Sequence, residues 1–143
     1  VEQQISPHLI WLGFLEGEAI KAFYDRLDVL VFPSLHPESF GMVVAEAMAQ
    51  AVVPISSGVG GAFEVITHGV DGLLCDPGQG HSVAAALRWC HHHRDELQVM
   101  ACRAQRHSRR RFSVRQSAGV LDRYFHQLLA KGSMGDGAVA ARF

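Results

Sequence analysis

Three short apolar runs, separated by amphipathic stretches, limit what this chain can fold into more than any other feature. They are Asp28–Phe32 (DVLVF), Val52–Ser56 (VVPIS) and Gly72–Cys75 (GLLC). Continuous apolar runs of this length suit strands covered on both faces, as in parallel sheets. A fourth strand candidate, His8–Leu12 (HLIWL), ends at Gly13. Between these runs the apolar spacing predicts helices over Glu18–Leu27, Gly41–Gln50 and Ala62–His68. From Ser82 onward only helices are predicted, over Ser82–His92, Asp95–His107 and Ser113–Ala130. Strand alternating with helix reads as βαβ units with right-handed crossovers. The expected class is α/β: a Rossmann-like parallel sheet of about four strands, helices on both faces, and a helical C-terminus.

At 143 residues the chain suits about one domain. A hydrophobic content of 48% excludes a disordered polymer. The longest purely apolar runs fall far short of the ~20 residues a spanning helix needs. No charged-then-apolar leader opens the sequence. Three widely spaced cysteines (Cys75, Cys90, Cys102) form neither a disulfide framework nor a zinc pattern. A reducing cytoplasm is the expected setting. The net charge of −1 conceals a division, with −7 from Val1 to His93 and +6 from Arg94 to Phe143. Residues 1–130 are expected to be folded. The glycine-rich stretch Lys131–Phe143 is expected to be a flexible tail.

In an open parallel sheet, ligands bind beyond the carboxyl ends of the strands. The loops Gly13–Gly17, Pro33–Phe40 and Ser57–Gly61 therefore matter most. The second is the richest, reading Pro-Ser-Leu-His-Pro-Glu-Ser-Phe before Gly41. It follows a buried strand and opens a helix, whose free N–H groups and dipole favour a phosphate or another electron-rich oxygen. Glu38 sits in the loop, and Glu46 lies about 7 Å along the helix axis from Gly41 at ~1.5 Å per residue. The two carboxylates would bracket an extended ligand at two heights. A carboxylate suits neighbouring sugar hydroxyls because it accepts through both oxygens.

The stretch from Pro33 to Gly78 resembles the donor-binding core of family 4 (group 1) retaining glycosyltransferases of the GT-B fold. The residues that carry the likeness are Glu38, Phe40, Gly41 and Glu46, followed by Ala47-Met48-Ala49. Gly60, Gly61 and Glu64 match a later Gly-Gly-x-x-Glu block, and Gly69, Gly72, Leu73 and Leu74 match the next. Upstream, Leu12-Gly13, Phe23-Tyr24 and Leu27-Asp28-Val29 also fit. The likeness covers roughly residues 8–80.

The resemblance implies roles. Glu38 would stabilise charge near the transferring carbon. Backbone N–H groups around Ser39, Phe40, Gly41, Met42 and Val43 would face the sugar and diphosphate. Glu46 would hold the ribose hydroxyls, and Gly60 and Gly61 would shape the neighbouring loop beside Glu64. It implies no metal and no cofactor. The partners would be a nucleotide-diphosphate sugar as donor and a sugar or lipid-linked acceptor, with retention through an oxocarbenium-like transition state.

Blander readings stand beside these. Glu46 alone reads as a solvated helix glutamate, Glu38 as an acid at a helix start, and Gly60-Gly61 as a turn. Ala51 stands where the family usually has a glycine after the helix, a place that suits a left-handed residue. The family's diphosphate-binding arginine and lysine have no match here. An incomplete C-terminal GT-B domain is therefore expected, with no transferase activity from the chain alone. With two central strands missing, His8–Leu12 should pack elsewhere, pair with Val29–Phe32, or stay loose. A non-enzymatic remnant that binds nucleotide sugar weakly is one alternative.

The basic segment Arg103–Arg111 (RAQRHSRRR) reads as a solvated helix face. A contact with an anionic membrane surface, peripheral to the inner leaflet, is the second alternative. No nucleic-acid motif accompanies it. Cys90-His91-His92-His93 has adjacent side chains pointing apart on a helix, so it reads as an exposed helix end rather than a metal tract.

Overall fold

The fold was taken from a computed structural model that describes residues 3–132. The chain opens with two strands, β1 (Gln3–Ser6) and β2 (Leu9–Trp11). Helix α1 (Glu18–Tyr24), strand β3 (Val29–Phe32), helix α2 (Met42–Ala49) and strand β4 (Val53–Ser56) follow. Next come the short helix α3 (Ala62–Val65) and strand β5 (Leu73–Leu74). Helices α4 (Gly80–His92), α5 (Arg94–Arg111) and α6 (Val114–Gly132) complete the order.

The three apolar runs make one parallel sheet in the order β3-β4-β5. Val29 faces Val53, Val31 faces Ile55, and Ile55 faces Leu73. Side chains alternate across a sheet, so these residues share one face. There Val53, Ile55, Leu73 and Cys75 meet Cys90 of α4 and Leu97 and Met100 of α5. On the opposite face, Phe32 and Leu74 pack with Val44, Ala45 and Met48 of α2 and Val65 of α3. Leu30 packs there with Tyr24, Ala47 and Val52. β4 is buried at every position, as its unbroken apolar run predicts.

The fourth strand does not join this sheet, which corrects the expected count of about four. His8–Leu12 is realised as Leu9–Trp11 and pairs antiparallel with Gln3–Ser6 in a separate two-stranded sheet. Of the three outcomes expected for it, packing elsewhere is the one observed. The physical reason is proximity. A two-residue turn, Pro7-His8, brings the neighbouring segment alongside, whereas a parallel partner needs a long crossover.

The helix bounds move by a few residues. α1 stops at Tyr24, three residues short of the expected Leu27, and α3 ends at Val65. α5 is longer than expected and carries the whole basic run to Arg111. Ser113 caps α6, its Oγ accepting the Gln116 N–H at 3.2 Å. Residues 133–143, most of the expected tail, lie outside the described residues, and α6 itself runs to Gly132.

Ala51, past the end of α2, has φ 60°, a left-handed conformation that costs an L-residue roughly 1–2 kcal/mol. Its N–H donates to Met48 O at 3.0 Å, and the Val52 N–H donates to Ala47 O at 2.9 Å. Those two bonds are the Schellman closure of a helix, which ordinarily places glycine at this position. Alanine therefore occupies a glycine site, as the family resemblance at this position implies.

Candidate functional site

The loop between β3 and α2 is fastened to the loop after β4. Glu38 forms a parallel bridge with Gly60. The Glu38 N–H donates to Val59 O at 3.4 Å, and Glu38 O accepts the Gly61 N–H at 2.7 Å. Ser57 Oγ donates to Ser34 O at 2.5 Å. These bonds continue the sheet for one rung past the carboxyl ends of β3 and β4, where ligands of such sheets bind.

Both glycines are required by this approach. A Cβ on Gly60 would lie 2.5 Å from Glu38 O, and one on Gly61 would strike the Ser39 carbonyl. Gly60-Gly61 is therefore more than a turn. It is the surface against which the Glu38 backbone is laid.

The side chains are arranged in sequence along the loop. Glu38 is half-buried, and Ser34 Oγ lies 3.4 Å from its Oε1. The same hydroxyl lies 3.0 Å from His36 O, so its single hydrogen serves one acceptor at a time. Ser39 is exposed, and Phe40 is half-buried. Gly41 is buried and left-handed at φ 78°, and it forms the N-terminal boundary of α2. A Cβ there would meet Ala62 Cβ at 3.1 Å, so glycine also lets α2 and α3 close up. The first N–H groups of a helix have no intrahelical partner. Those of Met42 and Val43 therefore stand at the mouth of the loop.

Glu46 is exposed on α2, one turn further on. Tyr24 Oη of α1 donates to its Oε2 at 3.2 Å. Tyr24 is buried, and its phenol is pushed up to about 12, chiefly by burial and then by the Glu46 charge and the hydrogen bond to it. The phenol thus stays a donor to Glu46 and fixes one carboxylate oxygen. A cleft of about 350 Å³ adjoins this pair, lined by Leu12, Phe14, Leu15, Phe23, Val43 and Glu46 among others. It brings the 13–17 loop to the start of α2. Glu64 lies exposed on α3.

The structure thus gathers Glu38, Ser39, Phe40, Gly41, Met42, Val43, Gly60 and Gly61 about one loop pair, with Glu46 a turn away. Sequence reasoning missed the partners Tyr24 and Ser34. The Phe-Tyr pair was visible as a motif, but nothing in it told which carboxylate the hydroxyl would reach.

The other features fall away from this site. Arg103, Arg106, Arg109, Arg110 and Arg111 are exposed on α5, while Ala104 and Ser108 in the same run are buried. His93 stacks on Trp89 at 4.9 Å between α4 and α5. Among the described residues no helix is long and apolar enough to cross a membrane.

The parallel α/β sheet with helices packed on it is a fold of the GT-B class. The family described as glycosyl transferases group 1 matches residues 2–107. The chain belongs to that family.

Its relatives agree. An uncharacterised glycosyltransferase of Methanocaldococcus jannaschii is 41% identical over 80 residues, 56% of this chain and 20% of that protein. HepE of Anabaena, solved in complex with UDP and glucose, superposes with a TM-score of 0.72 at 28% identity. That match covers 84% of this chain and 31% of HepE. Sucrose-phosphate synthase of Thermosynechococcus elongatus superposes at 0.77 with 26% identity, over 85% of this chain and 30% of the synthase. The chain spans about a fifth of the M. jannaschii relative and under a third of these two structures.

Proposed function

We propose that this chain is the donor-binding part of a retaining glycosyltransferase. It would bind a nucleotide-diphosphate sugar whose hexose-type group passes to an acceptor hydroxyl. The observation that carries this reading is the succession of Glu38 in the bridged loop, the start of α2, and Glu46 a turn along that helix, in a chain of the group 1 family. The UDP and glucose held by HepE support the ligand class.

On this reading the diphosphate lies across the N–H groups from Ser39 to Val43. Fixed donors aimed at the leaving oxygen stabilise the negative charge that grows as the sugar–oxygen bond breaks. Glu38 lies at the sugar end and stabilises the positive charge on the ring. Glu46, held by Tyr24, accepts the two ribose hydroxyls, and the adjoining cleft takes the base. Glu64 closes the rim from α3.

Calorimetric titration of the chain with UDP-glucose, GDP-mannose and ADP-glucose tests the proposal. One of these should bind, and Glu46→Ala should weaken it by about tenfold, as loss of a charged hydrogen-bond partner does. Binding unaffected by Glu46→Ala, or no binding of any of the three, refutes it.

A further inference from the structure

The C-terminal end of α5 terminates behind the candidate loop, and what ties it there is a chain of contacts that starts in a different part of the fold. Asp71 lies in the turn before β5 and is 4% exposed. Its Oδ1 accepts the Thr67 N–H at 2.7 Å, and its Oδ2 meets His107 Nδ1 at 2.5 Å. Arg111 Nη1 lies 3.2 Å from His107 Nε2. A guanidinium only donates, so Nε2 is the acceptor and Nδ1 carries the hydrogen directed at Asp71.

One residue beyond α5, its C-cap Phe112 donates its N–H to Ser108 O at 2.8 Å. Its ring lies 5.7 Å from the His107 ring and under the Arg111 guanidinium at 5.3 Å. It also meets Phe40 edge-on, with 5.1 Å between centroids and 80° between planes. That is a favoured aromatic geometry. The helix is also pinned to α2, for Ser108 Oγ donates to Ala45 O at 3.0 Å and Gln105 Nε2 to Ala49 O at 3.2 Å.

We infer that Asp71, His107 and Phe112 form a brace that sets the position of Phe40, and through it the N–H groups of Ser39–Val43. Phe112 is a positioning residue for the sugar–diphosphate end of the donor. The part that concerns the donor rests on the reading proposed above. The part that concerns the loop does not. Phe112 lies past residue 107, where the family match ends, while Phe40, Asp71 and His107 lie within it.

Beyond its bonds to the 57–61 loop, the Pro33–Phe40 loop has little packed apolar surface to hold it, Leu35 being exposed. Phe40 is its one aromatic anchor, and the Phe112 ring stands against it. Asp71 and His107 form a part-buried hydrogen-bonded pair, which keeps the α5 terminus from sliding along α2.

Hydrogen–deuterium exchange on the 143-residue chain, without ligand, decides the matter. Phe112→Ala should raise exchange about tenfold in peptides covering residues 36–43, with β3 and β4 unchanged. Phe112→Tyr, which keeps the ring, should restore the wild-type rate. If Phe112→Ala does not fold, Phe112→Leu carries the same expectation, since it keeps apolar volume without a ring edge. Unchanged exchange in 36–43, or a rise shared equally by the whole molecule, overturns the brace.

Affinity for UDP-glucose, GDP-mannose and ADP-glucose separates the two readings. In Phe112→Ala the bound nucleotide sugar should weaken about fivefold to tenfold, with the affinity for the matching nucleoside monophosphate kept. If the wild-type chain binds none of the three sugars, the donor reading fails, and loop exchange still decides the brace.

Discussion

Tyr24 and Glu46 stand 22 residues apart and meet across 3.2 Å, the phenol of α1 donating to the carboxylate of α2. The bond leaves one Glu46 oxygen free toward the cleft and fixes the other. Tyr24→Phe should therefore weaken nucleotide-sugar binding less than Glu46→Ala does, by about threefold against about tenfold. Titration of both variants with the sugar that binds the wild-type chain measures the ratio. Equal losses would show that the phenol itself carries the contact.

The same pair sets a response to alkaline pH. The Tyr24 phenol titrates near 10 in the unfolded chain and is held up to about 12 in the folded one. Between those values the unfolded state has released a proton that the folded state keeps. Stability is then undiminished below pH 10 and falls as pH rises toward 12, by up to about 1.4 kcal/mol per pH unit. Urea unfolding at pH 9 to 12 should show this slope in the wild type and a shallower one in Tyr24→Phe.

Ala51 offers a stabilising change. It holds φ 60° at the Schellman closure of α2. Ala51→Gly should raise stability by about 1 kcal/mol, the left-handed strain relieved exceeding the added freedom of the unfolded chain. A thermal melt of the two proteins checks the sign, and an unchanged or lower midpoint counts against it.

Gly61 and Gly69 separate two reasons for glycine. Gly61 lacks space, since a Cβ would strike the Ser39 carbonyl, while Gly69 has φ 74° and open space around it. Gly69→Ala should cost about 1 kcal/mol, the backbone term alone. Gly61→Ala should cost about 1–3 kcal/mol and should displace the Glu38 loop. Denaturation midpoints give the first comparison, and nucleotide-sugar affinity, lost only in Gly61→Ala, gives the second.

The three thiols should differ in reactivity. Cys75 and Cys90 are buried, and burial pushes both thiols up. Cys102 is exposed. Iodoacetamide at neutral pH should modify Cys102 first, and mass spectrometry of a short reaction should find one label. Early labelling of Cys75 would mean that the sheet opens.

Much of this was written in the sequence because it is local. The strand runs at Val29–Phe32 and Val53–Ser56 were legible as unbroken apolar segments, and the helices as periodic ones. Partnership was not legible. His8–Leu12 has the composition of a strand, yet nothing in five residues says which edge it will join. The order and spacing of the residues around Glu38 carried the family resemblance, but the bridge between Glu38 and Gly60 was visible only in the fold. Tyr24–Glu46 and Asp71–His107 were hidden because they join residues 22 and 36 apart. Asp71 reads as an ordinary turn acid, and His107 as one more member of a basic run. Only the packing of α5 against α2 turns that run so that Ala104 and Ser108 face inward and the arginines outward.

The bridge between Glu38 and Gly60 has a thermodynamic consequence. The backbone of the loop is already paired before any ligand arrives, so its conformational entropy is surrendered during folding rather than on association. A molecule docking there meets a surface set in advance. Its association should then follow the speed of encounter, and its heat-capacity change should reflect only the area it covers.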